Sequence, residues 1–314
     1  MVVIITGPTA SGKTALSEQL ISDLQGAIIN ADLGQFYTAL TVGTAKPPWR
    51  KLPFDSYLFD WVDTPRDISV VAFKEAVDLL VQSIHQQQKV PIIVGGSSFY
   101  IKSIFYPPRE IPMTQTVDMR QFEMLPADEL WQKLHAVDVE RARNIHPTDR
   151  YRLTRALALW HGTGQKPSTL KPSFAMPFEK AVVVIVLPKR TVLSERIHGR
   201  TMHMINEEGW VDEVRKLLGT SWEAFVRSKK LVGYVELIDW LNNGAAQATL
   251  SKVVDEISIK TRQYAKRQET FLKKLADDLV RDAQLMGADL QVLFVDDHSV
   301  QSVKKILALI KKQK

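Results

Sequence analysis

The sequence predicts an α/β fold: a P-loop-containing, doubly wound parallel sheet with a helical insertion domain. Three observations carry that prediction. The pattern Gly7-Pro8-Thr9-Ala10-Ser11-Gly12-Lys13-Thr14 lies between an apolar run and a helical pattern, the strand–turn–helix setting of a phosphate loop. Short, continuously apolar segments then recur, alternating with helical stretches, as in a parallel sheet covered on both faces. Between residues 106 and 180 the apolar strands stop and only helical periodicity remains.

The elements follow in order. Residues 2–5 (VVII) form the first buried strand, and Leu16, Leu20, Ile21 and Leu24 mark one face of the helix behind the loop. Residues 27–30 read as a second strand. Phe73, Val77, Leu80 and Ile84 mark the next helix, and residues 91–94 a third strand that ends in Gly95-Gly96. Pro107, Pro108, Pro167, Pro172 and Pro177 bracket the insertion, whose inner faces carry Leu130, Leu134 and Val137, then Leu153, Ala156, Leu157 and Trp160. Residues 181–187 give a fourth strand, followed by mostly helical sequence. The expected organisation is a discontinuous core of residues 1–105 and 181–289, an insertion at 106–180, and a strand and helix tail at 290–314. In the tail, residues 292–295 followed by Asp296 read as a structural strand ending in a turn aspartate, and Ile306, Leu307, Leu309 and Ile310 as a packed terminal helix.

Composition narrows the function class. The chain has 314 residues, 45% of them hydrophobic, enough for a sizeable core. It has no cysteine, which excludes disulfides and thiolate zinc sites and suits a reducing compartment. No apolar run is long enough to span a bilayer. A strand starting at Val2 leaves no room for a leader peptide before it, so a cytoplasmic location is expected. The net charge is +6, and its distribution matters more than its size. Arg141, Arg143, Arg150, Arg152 and Arg155 form one basic stretch. Lys260, Arg262, Lys266, Arg267, Lys273 and Lys274 form another. Clustered Lys and Arg are the footprint of a nucleic-acid partner, although a single such cluster is also what a solvated helix face looks like.

The chemistry should lie beyond the carboxyl ends of the strands. There the loop amides of residues 7–14 would cradle a di- or polyphosphate at a helix N-terminus. Lys13 would neutralise phosphate charge and the Thr14 hydroxyl would sit on Mg²⁺. Asp32, after the second strand, has the position of a general base, of a turn cap, or of a ligand to Mg²⁺ through water. No aspartate sits where a kinase or NTPase usually holds its metal, which argues against routine phosphoryl transfer.

Taken together these motifs resemble the tRNA dimethylallyltransferase (tRNA isopentenyltransferase) family in its bacterial form. The resemblance runs in family order over residues 1 to about 275. It rests on residues 7–14; on Asn30-Ala31-Asp32 with Gln35 and Tyr37; on residues 43–47 (GTAKP); on Val94-Gly95-Gly96; and on Asp149 with residues 152–157. It continues through Thr163-Gly164, Glu195-Arg196-Ile197, Arg200, Met204, Gly209, Glu213-Val214, Gly233-Tyr234 with Glu236, and residues 261–268 (TRQYAKRQ). It implies transfer of a dimethylallyl group from dimethylallyl diphosphate to the exocyclic N6 amine of an adenosine 3′ of a tRNA anticodon, with release of diphosphate.

It also implies site roles. Asp32 would be the base and Arg200 a diphosphate ligand. Ser97, where the family usually has threonine, would contact the adenosine or the diphosphate. Gly7, Pro8, Thr9, Ala10, Ser11, Gly12, Lys13 and Thr14 would bind diphosphate, with Mg²⁺ on Thr14. The tRNA would meet Asp32, Leu33, Gly34, Gln35, Ser97, Arg120, Tyr151, Arg152, Leu153, Thr154, Arg155, Arg262 and Lys266, with the insertion as a clamp over the anticodon loop. The partners are tRNA and dimethylallyl diphosphate, with no membrane, and the enzyme is expected as a monomer. The chain departs from the family at Leu33, where Ser or Thr is usual, at Ser98, where glycine is usual, and at Val235, where a basic residue is common. Three other readings share the loop: a P-loop small-metabolite or nucleotide kinase, an isopentenyltransferase acting on free adenine nucleotides, and a non-catalytic RNA-binding relic.

Overall fold

A computed structural model describes residues 1–108 and 117–311. Six strands form a single, wholly parallel sheet: β1 (Val2–Thr6), β2 (Gly26–Asn30), β3 (Ser56–Tyr57), β4 (Val90–Gly95), β5 (Lys180–Val186) and β6 (Asp289–Val295). Their spatial order is β3-β2-β4-β1-β5-β6. Of the five strands read from the sequence, four occupy the middle, where both faces are covered and side chains are buried regardless of alternation, and the one read at residues 292–295 is the edge strand β6. Strand β3 carries only two paired residues, too short to leave a period in the sequence.

Helices α1 (Lys13–Leu24), α2 (Val70–Gln86) and α3 (Ser98–Phe105) alternate with these strands. The inserted segment carries α4 (Arg120–Glu123), α5 (Ala127–Val137), α6 (Val139–Arg143) and α7 (Arg150–Thr163). After β5 come α8 (Arg190–Asn206), α9 (Trp210–Leu217), α10 (Ser221–Ser228), α11 (Tyr234–Asn242), α12 (Leu250–Met286) and, after β6, α13 (Val300–Lys311). At 37 residues, α12 runs about 55 Å at 1.5 Å per residue. No helix among the described residues is long and apolar enough to cross a membrane.

The chain divides into two compact units, residues 1–105 with 174–314, and residues 106–173. Two boundaries therefore differ from the sequence reading. Residues 174–180 belong to the core unit, because Phe174 stacks on Phe105 and the Ala175 N–H donates to the Phe105 carbonyl. The 290–314 segment is no separate tail. Strand β6 pairs with β5 along its whole length, and Ile306 and Ile310 of α13 are buried in the cluster that Leu16 and Leu20 of α1 form with Val3 and Ile5. The tail thus completes one layer of the core. The helical unit has its own core of Leu130, Leu134, Ala142, Leu153, Ala156 and Leu157.

Register brings three loops to one edge. Thr6 pairs with Gly95, and Asn30 with Val94, so β1, β2 and β4 end at the same level. The segments after them leave the sheet side by side. Gly95 is where β4 must pass close to its neighbour: a Cβ there would lie 2.1 Å from the Ala31 carbonyl oxygen.

Candidate active site

The phosphate loop is held from three sides. Gly12 caps α1 at φ +94°, a left-handed conformation open to glycine, so the loop turns sharply into the helix N-terminus. Lys13 Nζ donates to the Pro8 carbonyl at 2.8 Å, and Arg200 of α8 donates to Thr9 Oγ1 at 2.6 Å. Gln268 of α12 bridges two of the loops. Its Oε1 accepts from the Thr9 N–H at 2.9 Å, and its Nε2 donates to the Gly96 carbonyl at 2.7 Å.

Asp32 stands opposite. Its N–H donates to Asn30 Oδ1 at 3.0 Å, which fixes the turn. Its carboxylate accepts the Gly34 and Gly96 backbone N–H groups. Ser97 Oγ accepts from the Leu33 N–H at 2.8 Å, closing the segment onto the end of β4. Leu33, in place of the usual hydroxyl residue, thus leaves its backbone anchor to Ser97 intact.

The electrostatics are those of ions in a confined cleft. Burial raises the Asp32 pKa above its ordinary value, opposed first by Lys13 and then by the Gly34 and Gly96 N–H groups and Arg200. Burial lowers Lys13 to about 8, with Asp32 acting against that shift and Arg200 adding to it. Burial lowers Arg200 as well, offset by Asp32. Burial and then the Asp32 charge raise the phenol of Tyr264 on α12. Asp32, Lys13, Arg200 and Tyr264 therefore form one coupled group.

Two cavities of about 550 and 520 Å³ meet at this group. Thr9, Asp32, Thr44 and Arg200 line both. The first continues along the phosphate loop, with Lys13, Thr14, Glu18, Arg196 and His298. The second is lined by Tyr37, Met204, Trp210 and Phe225, with Ser97, Tyr264 and Arg267 at polar positions. Glu213 anchors the segment that precedes Thr44: its carboxylate accepts the N–H groups of Thr41, Val42 and Gly43 at 2.7 to 3.1 Å and the Tyr234 hydroxyl at 2.7 Å.

The sequence-predicted residues thus separate into groups. Residues 7–14, Asp32, Leu33, Gly34, Gln35, Ser97 and Arg200 converge at one edge of the core unit. The side-chain amide of Gln35 is engaged with the Thr44 and Ala45 carbonyls. Arg262 and Lys266 lie on α12 but line neither of these two cavities; Thr261, Tyr264, Arg267 and Gln268 of the same helix line the second. On the helical unit, Arg120, Tyr151, Arg152 and Arg155 are exposed, and Thr154 is half-buried. Leu153 requires correction as an RNA-contacting side chain. It faces inward with Ala156 and Leu157, fully buried, because positions three and four apart share one side of a helix.

Sequence reasoning assigned no role to Gln268, Glu213, Tyr264 or Arg196, although all lie within the quoted motifs. Gln268 did carry a signal. It is a polar residue in an inward slot of the series Ala265, Leu272, Leu275, Leu279.

Among the described residues no cluster of three His, Asp or Glu could hold a metal by itself. Oxygen donors lining the cavity along the loop include the exposed Thr14 and the Glu18 and Asp32 carboxylates. That set fits a Mg²⁺ carried in on the phosphates, since Mg²⁺ takes one or two protein oxygens and completes its shell with phosphate and water.

The IPP transferase family model matches residues 35–275. The chain belongs to the IPP transferase family. A tRNA dimethylallyltransferase 1 from Citrifermentans bemidjiense is 34% identical over 279 residues, 88% of this chain and 90% of that one. The solved tRNA isopentenylpyrophosphate transferase of Bacillus halodurans is 26% identical with a TM-score of 0.65, covering 99% of this chain and 95% of that one. A comparable enzyme of Staphylococcus epidermidis is 25% identical with a TM-score of 0.63, covering 99% of both chains. Residues 7–14 lie outside the 35–275 match and are assigned by their own geometry. Family membership does not favour the kinase alternative.

Proposed function

We propose that this IPP transferase moves a dimethylallyl group from dimethylallyl diphosphate to the N6 amine of an adenosine 3′ of a tRNA anticodon. The observation that carries the reading is the position of Asp32. It stands in the wall shared by two cavities, one built by a phosphate loop and the other lined by aromatic and apolar side chains. The diphosphate occupies the loop side, and an extruded adenine enters from the other. The amine nitrogen attacks the allylic carbon, a carbon–nitrogen bond forms, and the carbon–oxygen bond to diphosphate breaks. The amine proton passes to Asp32.

Charge explains why each residue type is needed. The departing diphosphate gains negative charge, which Lys13, Arg200 and the loop N–H groups stabilise within a confined site. Thr14 would hold a Mg²⁺ ion brought in with the donor, and such an ion would supply Lewis-acid stabilisation to the same oxygens. Bound diphosphate also takes up the cations that hold Asp32 ionised, and its own charge makes the Asp32 carboxylate a stronger base. The base is thus activated when the donor is in place.

Arg120, Tyr151, Arg152 and Arg155 on the helical unit, and Arg262 and Lys266 on α12, hold the tRNA backbone. Contacts of this kind make affinity fall steeply with salt. Extrusion is least costly for a loop base, which suits an anticodon neighbour. The enzyme acts as a monomer in the cytoplasm.

The test is a competition. The protein is incubated with Mg²⁺, labelled dimethylallyl diphosphate, bulk tRNA, AMP and ATP at low salt. Label should appear on adenosine recovered from tRNA. Label on AMP instead, or no transfer with ATP consumed, refutes the reading.

A further inference from the structure

The loop between β6 and α13 carries a side chain that none of the preceding steps uses. His298 reaches the phosphate loop from this turn, beyond the 35–275 span of the family model. It lines the phosphate-loop cavity with Lys13, Arg196 and Arg200. Its Nδ1 would lie 2.8 Å from a Cβ on residue 12, so the ring sits directly against Gly12. That nitrogen is buried and, among the described residues, has no hydrogen-bond partner. Ser11 Oγ, one residue earlier in the same loop, is buried without a partner as well. Ser11 Oγ lies against Gly7 and the His298 nitrogen against Gly12; since buried polar atoms are ordinarily satisfied, the unpartnered His298 nitrogen, in a residue that lines the cavity, is the one that points to a ligand of the loop.

The turn is built to hold the ring in place. Asp297 Oδ1 accepts the Ser299 N–H at 3.0 Å and the Ser302 hydroxyl at 2.8 Å, fixing the entry to α13. Helix α13 is anchored in turn by buried Ile306 and Ile310 against α1, the helix that opens with Lys13. The residue therefore approaches the loop on a rigid element.

We propose that His298 is a diphosphate-binding residue, its Nδ1–H donating to the diphosphate held by residues 7–14. The proposal rests on the phosphate loop being the diphosphate site, as above. The C-terminal strand and helix then supply a ligand to a loop at the opposite end of the chain. A hydrogen bond to a charged phosphate oxygen is worth roughly tenfold in affinity.

Two substitutions separate the donor from the ring. His298→Phe keeps the packing against Gly12 and removes the donor. His298→Asn keeps an N–H close to the position of Nδ1 and removes most of the ring. The probe is inorganic pyrophosphate with Mg²⁺, titrated calorimetrically into the whole protein, with Lys13→Met measured alongside. The expected pattern is an affinity about tenfold weaker for His298→Phe, within about threefold of wild type for His298→Asn, and unchanged tRNA affinity in both. Wild-type affinity in His298→Phe, or equal loss in both variants, overturns the proposal, since His298 then acts by packing alone. Loss in Lys13→Met without loss in His298→Phe strikes only this inference. Unchanged affinity in Lys13→Met removes the diphosphate site itself and both readings with it.

Discussion

Asp32→Asn is the most informative single change, because it alters charge while preserving shape. The asparagine side-chain oxygen can still accept one of the two backbone N–H groups, from Gly34 or Gly96, that the carboxylate now holds. What disappears is the proton acceptor and the negative charge facing Lys13 and Arg200. A positioned general base contributes about 10² to 10⁴ in rate, or roughly 3 to 5 kcal/mol of barrier at 1.36 kcal/mol per factor of ten. Turnover of prenyl transfer should fall by at least about a hundredfold. Diphosphate binding should move the other way. With the competing carboxylate gone, Lys13 and Arg200 are freer to pair with phosphate, so pyrophosphate should bind as tightly as in wild type or more so. The assay is single-turnover transfer of labelled dimethylallyl groups to tRNA, with pyrophosphate affinity measured by calorimetry on the same preparation. A rate within tenfold of wild type would falsify the assignment of Asp32 as base. A lost rate with equally lost pyrophosphate affinity would show that Asp32 organises the loop instead.

Three further outcomes follow from the same geometry. Lys13 is lowered to about 8 in the free protein, and diphosphate favours its charged form, so binding above pH 8 takes up a proton. Pyrophosphate affinity should therefore decline as pH rises past 8, by up to about tenfold per unit, and Lys13→Met should lack that component. Replacing Glu213 with Gln weakens the anchor of Thr41, Val42 and Gly43; we expect a loss of about 2 kcal/mol in urea unfolding and a raised KM for tRNA, and unchanged stability would contradict the anchoring role. In Gly95→Ala the new methyl collides with the Ala31 backbone, which cannot rotate away, and β4 must shift; destabilisation of about 3 kcal/mol or more is expected, and a wild-type melting curve would count against it.

Most of the core unit is legible in the amino-acid order alone. Four buried strands, the phosphate loop and Asp32 were legible because each is local. A continuous apolar run needs no partner to be recognised, and the loop requires glycine at a position whose φ no other residue adopts readily. The basic face of α7 was legible for the same reason, although Leu153 shows that a contiguous motif mixes surface and core positions on a helix.

The remaining features arise from contacts between residues far apart in the chain. Strand β6 and α13 read as a tail: the apolar run at residues 292–295 marks a strand, but its pairing with β5, 100 or more residues earlier in the chain, is non-local and leaves no signal in the sequence. Gln268 joins the loop of Thr9 to that of Gly96, and Glu213 gathers three N–H groups from residues 170 or more positions away. His298 reaches Gly12 across nearly the whole chain. Local periodicity reports which face of an element is buried; it carries no information on which distant polar atom that face will meet. The position of Asp32 between two cavities was settled in that second way, by the register of β2, β4 and β1 and the helices that close around their ends.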